Sequence, residues 1–363
     1  MKNGVKFMDN KEIQHSKPTI EDNDIKEVEK VLLSNFIARG NKVVEFENQL
    51  AEYIRGGKAY ATSSGSSALF LALFGLELEP QDEIIIPTYV CKSVMDAVKF
   101  ANARPIIVDV GDDYCISASE IKRNFTKHTK AIIVVHMYGI SAKIKEIIDV
   151  AKEYEIYVIE DCAQSIGGEI NGRKLGSFGD LAIFSFHATK VITCGEGGML
   201  LINNRKLLLS FEKKISTLCD RFFTMTDIQA AIGLCQLRKL PELLEKRRYL
   251  AQKYIELLED LPNILIPIND IQRSIFFRFP VRIRKNFDFD NLRRKMEGYG
   301  IHIRKGVDLM LHQLENNFKC PNADVLFKET VSLPIYPRLD LCYVEEIVAR
   351  FKEVLYKEGI ING

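Results

Sequence analysis

Apolar positions first recur at helical spacing over residues 22–34, where Ile25, Val28, Val31 and Leu32 follow Thr19 and Asp22 as candidate caps. Gly40 interrupts the chain before a second such pattern, Val43, Phe46, Leu50 and Tyr53, which stops at Gly56-Gly57. Residues 59–64 read as a short extended segment, and Gly65-Ser66-Ser67 opens an apolar helix over 68–76. Strand and helix patterns then alternate. Glu83-Ile84-Ile85-Ile86 is a strand stopped by Pro87, and residues 91–100 are helical. Pro105-Ile106-Ile107-Val108 runs to Asp109, before a short helix over 119–125. Ala131-Ile132-Ile133-Val134-Val135 ends at His136, with a helix over 144–153 after it, and Tyr157-Val158-Ile159 ends at Glu160-Asp161. Continuous apolar strands separated by helices predict an α/β fold with a mostly parallel sheet covered on both faces. Ligands in such sheets sit beyond the carboxyl ends of the strands. Asp109, His136 and Asp161 all fall at such ends.

Further on, a strand pair is expected around Ile183 and over 199–202, then a helical region from 227 to about 258 with Pro241 as a kink or break. A domain boundary is placed near residue 245. Residues 1–245 are expected to form a large domain with a frayed or docking arm over 1–17, and residues 246–363 a smaller α+β domain. The smaller part is read as a strand over 275–283, a helix over 289–297 stopped by Gly298 and Gly300, a strand near 331–333 and a final helix over 343–356.

Composition narrows the function classes. A chain of 363 residues exceeds the usual single core, consistent with two domains. Lys+Arg 50 against Asp+Glu 49 leaves no global field, and the densest basic cluster, Lys246-Arg247-Arg248, reads as a helix face. Neither a nucleic-acid groove nor a membrane-binding face is therefore expected. The eight cysteines are scattered without a CxxC or a Cys/His metal spacing, so no metal site is expected. No apolar signal segment follows Met1-Lys2-Asn3-Gly4 and no run is long enough to span a bilayer, which predicts a reduced, cytoplasmic protein.

The candidate chemistry centres on Phe184-Ser185-Phe186-His187-Ala188-Thr189-Lys190, followed by Gly195-Glu196-Gly197-Gly198. Glycines there allow positive φ and close backbone approach. Lys190 could hold an aldehyde cofactor as a Schiff base, which requires an amine held below its usual protonation range; standing alone it would read as a surface lysine. Ser64-Gly65-Ser66 lies at a strand-to-helix turn, where free amides and the helix dipole suit a phosphate, although serine there is more often a simple cap. Asp161 could pair with a protonated pyridine nitrogen and Gln164 could reach a ring oxygen, while a turn-capping role for Asp161 is equally compatible with the local pattern. Ser185 could add a hydroxyl to the phosphate. Phosphate cradle, carboxylate and lysine in that chain order are together the parts that pyridoxal 5'-phosphate requires.

These segments resemble the DegT/StrS-type sugar aminotransferases, a branch of fold-type I pyridoxal-phosphate enzymes. The similarity runs from Gly40 and Phe46-Glu47 to Ser332-Leu333-Pro334, and includes Glu160-Asp161-Cys162-Ala163-Gln164, Val135-His136-Met137-Tyr138-Gly139 and Asp227-Ile228-Gln229-Ala230-Ala231-Ile232-Gly233. The resemblance implies Lys190 as the Schiff-base lysine, Asp161 at the pyridine nitrogen, Gln164 at the ring hydroxyl, and Gly65, Ser66 and Ser185 with the Ser64 turn at the phosphate. It also implies a homodimer with the active site at its interface, and a glutamate-dependent transfer of nitrogen to a keto sugar carried on a nucleotide. Two positions depart from the family pattern. Cys91 stands where the family stacks an aromatic on the cofactor, leaving that place to Cys91, Tyr89 or another side chain. Phe222-Phe223-Thr224-Met225 replaces a segment whose Asn reaches the partner's phosphate, which leaves Arg221 as a substitute. Two other readings are a sugar dehydratase or a homologue without turnover. Related 3-dehydratases carry His at the position of Lys190, and His187 lies three places early; the intact lysine, aspartate and glutamine oppose loss of turnover. His302, His312, Arg278 and Arg304 fall in the smaller lobe where substrate could reach; some are expected to be structural, and none is named as catalytic.

Overall fold

In a computed structural model, residues 12–267, 274–315 and 317–362 are described. The strands are β1 Lys58–Thr62, β2 Glu83–Pro87, β3 Arg104–Val108, β4 Thr129–Val135, β5 Tyr157–Asp161, β6 Glu169–Ile170, β7 Arg173–Lys174, β8 Leu181–Ser185, β9 Gly198–Ile202, β10 Ile264–Leu265, β11 Phe279–Ile283, β12 Arg304–Lys305 and β13 Thr330–Leu333. The helices are α1 Asp22–Ser34, α2 Asn41–Ile54, α3 Gly65–Phe74, α4 Lys92–Phe100, α5 Ala118–Asn124, α6 Ile144–Glu153, α7 Arg205–Arg221, α8 Asp227–Leu258, α9 Phe289–Glu297, α10 Pro321–Glu329 and α11 Leu341–Lys357. None of the described helices is long and apolar enough to cross a membrane.

Seven strands form the main sheet in the order β1-β9-β8-β5-β4-β2-β3. All neighbours are parallel except β9, which runs antiparallel to β1 and β8. Ile84, Ile85, Ile132, Ile133 and Ile159 are fully buried, because an apolar run covered on both faces has no solvent side. Register brings three strand termini together: Thr62 and Ser185 both face Gly198, and Asp161 lies across from Ile183. The site-forming segments therefore meet at one edge of the sheet although they lie far apart in sequence.

The second sheet, β10-β11-β13-β12, is antiparallel and carries α9 and α11. Helix α8 joins the two cores: Leu240, Leu243 and Leu244 pack under the main sheet, whereas Leu250, Ala251, Tyr254 and Leu258 pack against β11 and α11. Pro241 does not break this 32-residue helix. It sits at an exposed position, and its missing N–H costs the helix only the bond to the Leu237 carbonyl. The segment holding Val307, Met310, Leu311, Cys320, Ala323 and Leu326 returns to the first core, so the C-terminal part is not confined to its own lobe.

Several expectations are corrected. The strand expected over 275–283 begins at Phe279, because Phe276 takes φ 48° and residues 274–277 bond to the 138–140 turn instead of a strand partner. Helices α7 and α10 are additional to the expected pattern. Of the N-terminal arm, residues 1–11 lie outside the described residues. The remainder docks: Ile13 bridges Ile301 and is buried, and His15 bonds the Ser332 hydroxyl at 2.9 Å.

Asp227 ties the start of α8 to the start of α2. Its carboxylate accepts from the amides of Gly40 (2.8 Å), Lys42 (3.2 Å) and Val43 (3.0 Å), capping the N-terminus of α2. A Cβ at Gly40 would lie 2.8 Å from that carboxylate, which explains the glycine. Asp227→Ala strands three amides, that of Val43 buried and those of Gly40 and Lys42 partly so, and chemical denaturation should show a loss of about 3 kcal/mol. Asp227→Asn, which keeps one acceptor oxygen, should lose roughly half as much.

Candidate active site

Between β8 and β9 the chain makes a closed loop. The Phe186 amide donates to the Gly197 carbonyl at 2.8 Å, and the Cys194 amide donates back to the Phe186 carbonyl at 2.9 Å. Lys190 sits at the tip of a turn closed by its own amide on the His187 carbonyl. Gln229 pins the loop to α8, because its Nε2 donates to the Glu196 carbonyl while its Oε1 completes the capping box with Thr226. Gly195 takes φ 80°, a conformation that side chains rarely adopt.

The β1–α3 turn lies against this hairpin. A Cβ at Gly65 would come within 2.7 Å of the Ser185 Cβ, and one at Gly198 within 2.3 Å of the Ser64 carbonyl group. Only glycines let these backbones approach so closely. The Ser64 hydroxyl caps α3, accepting from the Ser67 amide at 3.1 Å. The first-turn amides of Gly65 and Ser66 have no intrahelical acceptor and, with the Ser185 hydroxyl beside them, form a polar cradle at a helix N-terminus.

Asp161 ends β5 and is 7% exposed. One carboxylate oxygen accepts from the Ala163 amide at 2.9 Å; among the described residues no group donates to the other. Burial raises its pKa above the usual carboxylate range, opposed by the Ala163 amide, Lys190 and His136. Gln164 is fixed by its Oε1, which accepts from the Tyr138 amide at 3.0 Å, so its Nε2 donors remain for a ligand.

Beneath them is a network that sequence reasoning left without a role. The fully buried Glu160 accepts from the amides of Gly176, Phe178 and Gly179 and contacts His136 Nε2 at 3.2 Å. His136 Nδ1 accepts from the Ala142 amide, which puts the ring proton on Nε2, facing Glu160. Glu160 thereby holds the turn that feeds β8 and hence Lys190. Cys162 lies in the same cluster; the carboxylate is already filled by hydrogen bonds, which accounts for the grouping.

Lys190 is half-buried, with its ammonium 5.1 Å from the centre of the Phe277 ring. Loss of water around it lowers its pKa below 10.5; Asp161 opposes this, Arg278 adds to it, and Cys91 opposes it. Phe277 is held in place from two sides. Its amide donates to the carbonyl of Tyr138, a residue at φ 57°, and its carbonyl accepts from Arg247 Nη1 at 3.2 Å. Arg247 is only 2% exposed and also bonds the carbonyls of Phe276 and Ile335. Burial without a carboxylate pushes its pKa down to about 10.

The remaining candidates divide clearly. Cys91 is exposed at the start of α4, near enough to the Lys190 ammonium for its charge to be felt there. Tyr89 is fully buried among Tyr114 and Tyr138, its hydroxyl accepting from that of Tyr138 at 3.1 Å. It is committed to that cluster. Asp109 caps α10, accepting from the amides of Asn322 and Ala323 at 2.9 Å. His312 bonds Thr88 through Nδ1 at 2.8 Å and approaches Asp324 through Nε2, a clasp on the 88–89 segment. Arg221 and Phe222, at the end of α7, are exposed, Phe222 at 70%.

A cradle of free amides, a buried carboxylate with one unused oxygen, an amide donor and an amine of lowered pKa fit a phosphorylated pyridine aldehyde. Comparison with known proteins agrees. Residues 18–352 match the DegT/DnrJ/EryC1/StrS aminotransferase family. GDP-perosamine synthase of Escherichia coli O157:H7 is 31% identical over 92% of this chain and 97% of its own length. The aminotransferase TlmJ of Streptoalloteichus hindustanus superposes with a TM-score of 0.91 at 25% identity, over 96% of this chain and 100% of that one. The putative sugar aminotransferase Spr1654 from Streptococcus pneumoniae, in its PLP form, gives 0.88 at 25% identity, with the same coverage. The chain belongs to the DegT/DnrJ/EryC1/StrS aminotransferase family and is a pyridoxal-phosphate-dependent enzyme built on that family's fold.

Proposed function

We propose that the enzyme moves an amino group from glutamate to the keto carbon of a nucleotide-linked sugar. The observation that carries this reading is Lys190: a lysine of lowered pKa, facing Asp161 across a site with a free phosphate cradle. Pyridoxal phosphate supplies the electron sink and carries the nitrogen between the two substrates. The amides of Gly65 and Ser66 and the Ser185 hydroxyl would hold the phosphate, Asp161 would keep the proton on the ring nitrogen, and Gln164 Nε2 would donate to the ring oxygen. Lys190 Nζ would be the amine that holds the aldehyde carbon in the resting enzyme, and the donor's amine would take its place. Once released, Nζ would take the proton from the donor Cα and deliver it to the former aldehyde carbon, a base-then-acid role favoured in an amine held below its ordinary pKa. Phe277 under the amine and the buried Tyr138 turn limit the directions in which Nζ can move.

The name of the E. coli relative, GDP-perosamine synthase, supports nucleotide-linked sugars as the acceptor class. A homodimer is part of the proposal: exposed Arg221 and Phe222 at the end of α7 would meet the partner, with Arg221 as a donor to its phosphate site. Purified enzyme should absorb in the visible, lose that band on addition of glutamate, and regain it with the right sugar. Nucleotide-linked 3-keto and 4-keto sugars, screened by mass spectrometry for the amino product, test the acceptor. Absence of a glutamate-dependent change, with no amino sugar from any acceptor, would overturn the reading.

A further inference from the structure

Arg278 follows Phe277 and faces the same space as Lys190. Both cations approach the Phe277 ring, Lys190 Nζ at 5.1 Å and Arg278 Cζ at 5.8 Å from its centre. Only Nη1 of the guanidinium has acceptors among the described residues: the carbonyls of Gly306 at 3.0 Å and Lys305 at 3.4 Å. No described carboxylate lies within ion-pair distance of it, although the side chain is half-buried. Its backbone is fixed, because residues 276 and 277 are bonded to Arg247 and Tyr138. The surroundings add to the same sign: His15, packed nearby on Ser332, feels the charges of Arg278, Arg304 and His302.

A half-buried guanidinium without a counterion is costly to keep, and costlier beside a second cation. The two bonds through Nη1 orient the group and leave Nε and Nη2 as a fork, the geometry that receives two oxygens of one oxyanion. Nothing in the fold requires arginine here for packing against Phe277 alone.

We infer that Arg278 is the substrate's anion receptor: its free edge binds an oxyanion carried by the molecule that reacts at Lys190. Resting on the aminotransferase reading, this leaves two sources of one chemistry, the carboxylate of the amino donor and a phosphate of the nucleotide carrier. Arg278 also braces residues 305–306, so the test must separate binding from support.

Holoenzyme, Arg278→Gln and Arg278→Lys are compared by calorimetry with glutarate, a dicarboxylate without an amine, and with guanosine diphosphate. The inference expects Arg278→Gln to weaken one of these ligands by about 10- to 100-fold, and Arg278→Lys to recover part of the loss. Loss on glutarate assigns the carboxylate, and loss on the diphosphate assigns the phosphate. A second readout is the pH at which Lys190 in cofactor-free protein captures an aldehyde. Removing the Arg278 charge should move that profile to higher pH, an effect that a brace alone would not produce. Should Arg278→Gln fail to fold, wild-type protein treated with phenylglyoxal gives the answer by peptide mass spectrometry: Arg278 should be modified, and glutarate or the diphosphate should protect it. Unchanged affinity for both ligands in a folded variant, or modification without protection, would overturn the inference. Failure of the aminotransferase reading is distinguishable, since it removes the glutamate-dependent spectral change while leaving anion binding at Arg278 intact.

Discussion

Lys190→Ala should reduce transamination by at least about 10⁴-fold, because on the proposed mechanism one substitution removes both the covalent tether and the proton carrier. The fold should survive it. Lys190 makes no ion pair among the described residues, and its side chain lies in a region where the charged form is disfavoured by burial. The variant should therefore retain cofactor through the Gly65–Ser66 cradle and Asp161, visible as absorbance that persists through gel filtration but is released by competing phosphate. Small primary amines should restore a fraction of the proton transfer, which a merely structural lysine would not allow. Lys190→Arg should behave like the alanine variant in turnover, since its charge is retained but its nucleophile is not. The pH dependence follows from the direction of the shift. With a folded pKa below the ordinary 10.5, the folded state gives up the proton first. Aldehyde capture by the cofactor-free protein should thus rise with pH and level off before an ordinary lysine would. Stability should also increase across that same interval, as the penalty of burying the ammonium disappears. Turnover in Lys190→Ala within tenfold of wild type would remove the lysine from the mechanism.

The parts of this site that could be read in the sequence are those whose chemistry is local. A strand ending in Asp161, a serine-glycine turn before an apolar helix and a lysine before a glycine run each carry their meaning within a few residues. The strand order did not have to be known, because parallel α/β sheets gather such ends along one edge. What stayed hidden depends on contacts across long separations. Asp109 and His136 end strands just as Asp161 does, yet one caps α10 more than two hundred positions later in the chain and the other serves Glu160. Phe277 and Arg278 reach Lys190 only because residues 274–277 bond to the 138–140 turn, an irregular pairing that no periodicity announces. Glu160 sat in a recognised motif, but its partners are backbone amides of Gly176, Phe178 and Gly179, which have no side-chain signature. Helix α7 did leave a signal: Asn204 as a cap, accepting from the Lys206 and Leu207 amides, followed by Leu207, Leu208, Ile215 and Leu218 at helical spacing.

Asp161→Asn should separate stability from activity. The carboxyl is held above its usual range chiefly by burial. A folded pKa above the unfolded one means its stabilising contribution is complete below pH 3.8 and is lost as pH rises through the higher, folded value. At neutral pH the ionised carboxylate is therefore a cost to the cofactor-free fold. Asparagine keeps the oxygen that accepts from the Ala163 amide and removes the charge, so the cofactor-free variant should melt at or above the wild-type temperature. Activity should move the other way. An asparagine cannot stabilise a proton on the ring nitrogen, and kcat should fall by about 10²- to 10⁴-fold. The lysine supplies an internal control, because Asp161 is the group that keeps its ammonium from being more strongly disfavoured. In Asp161→Asn the pH profile of aldehyde capture should shift to lower pH, opposite to the shift expected for Arg278→Gln. Differential scanning fluorimetry of the cofactor-free protein, half-reaction kinetics with glutamate and the capture profile together form the test. A variant that melts well below wild type while keeping full glutamate half-reaction rates would make Asp161 a structural cap and leave the ring nitrogen without a partner.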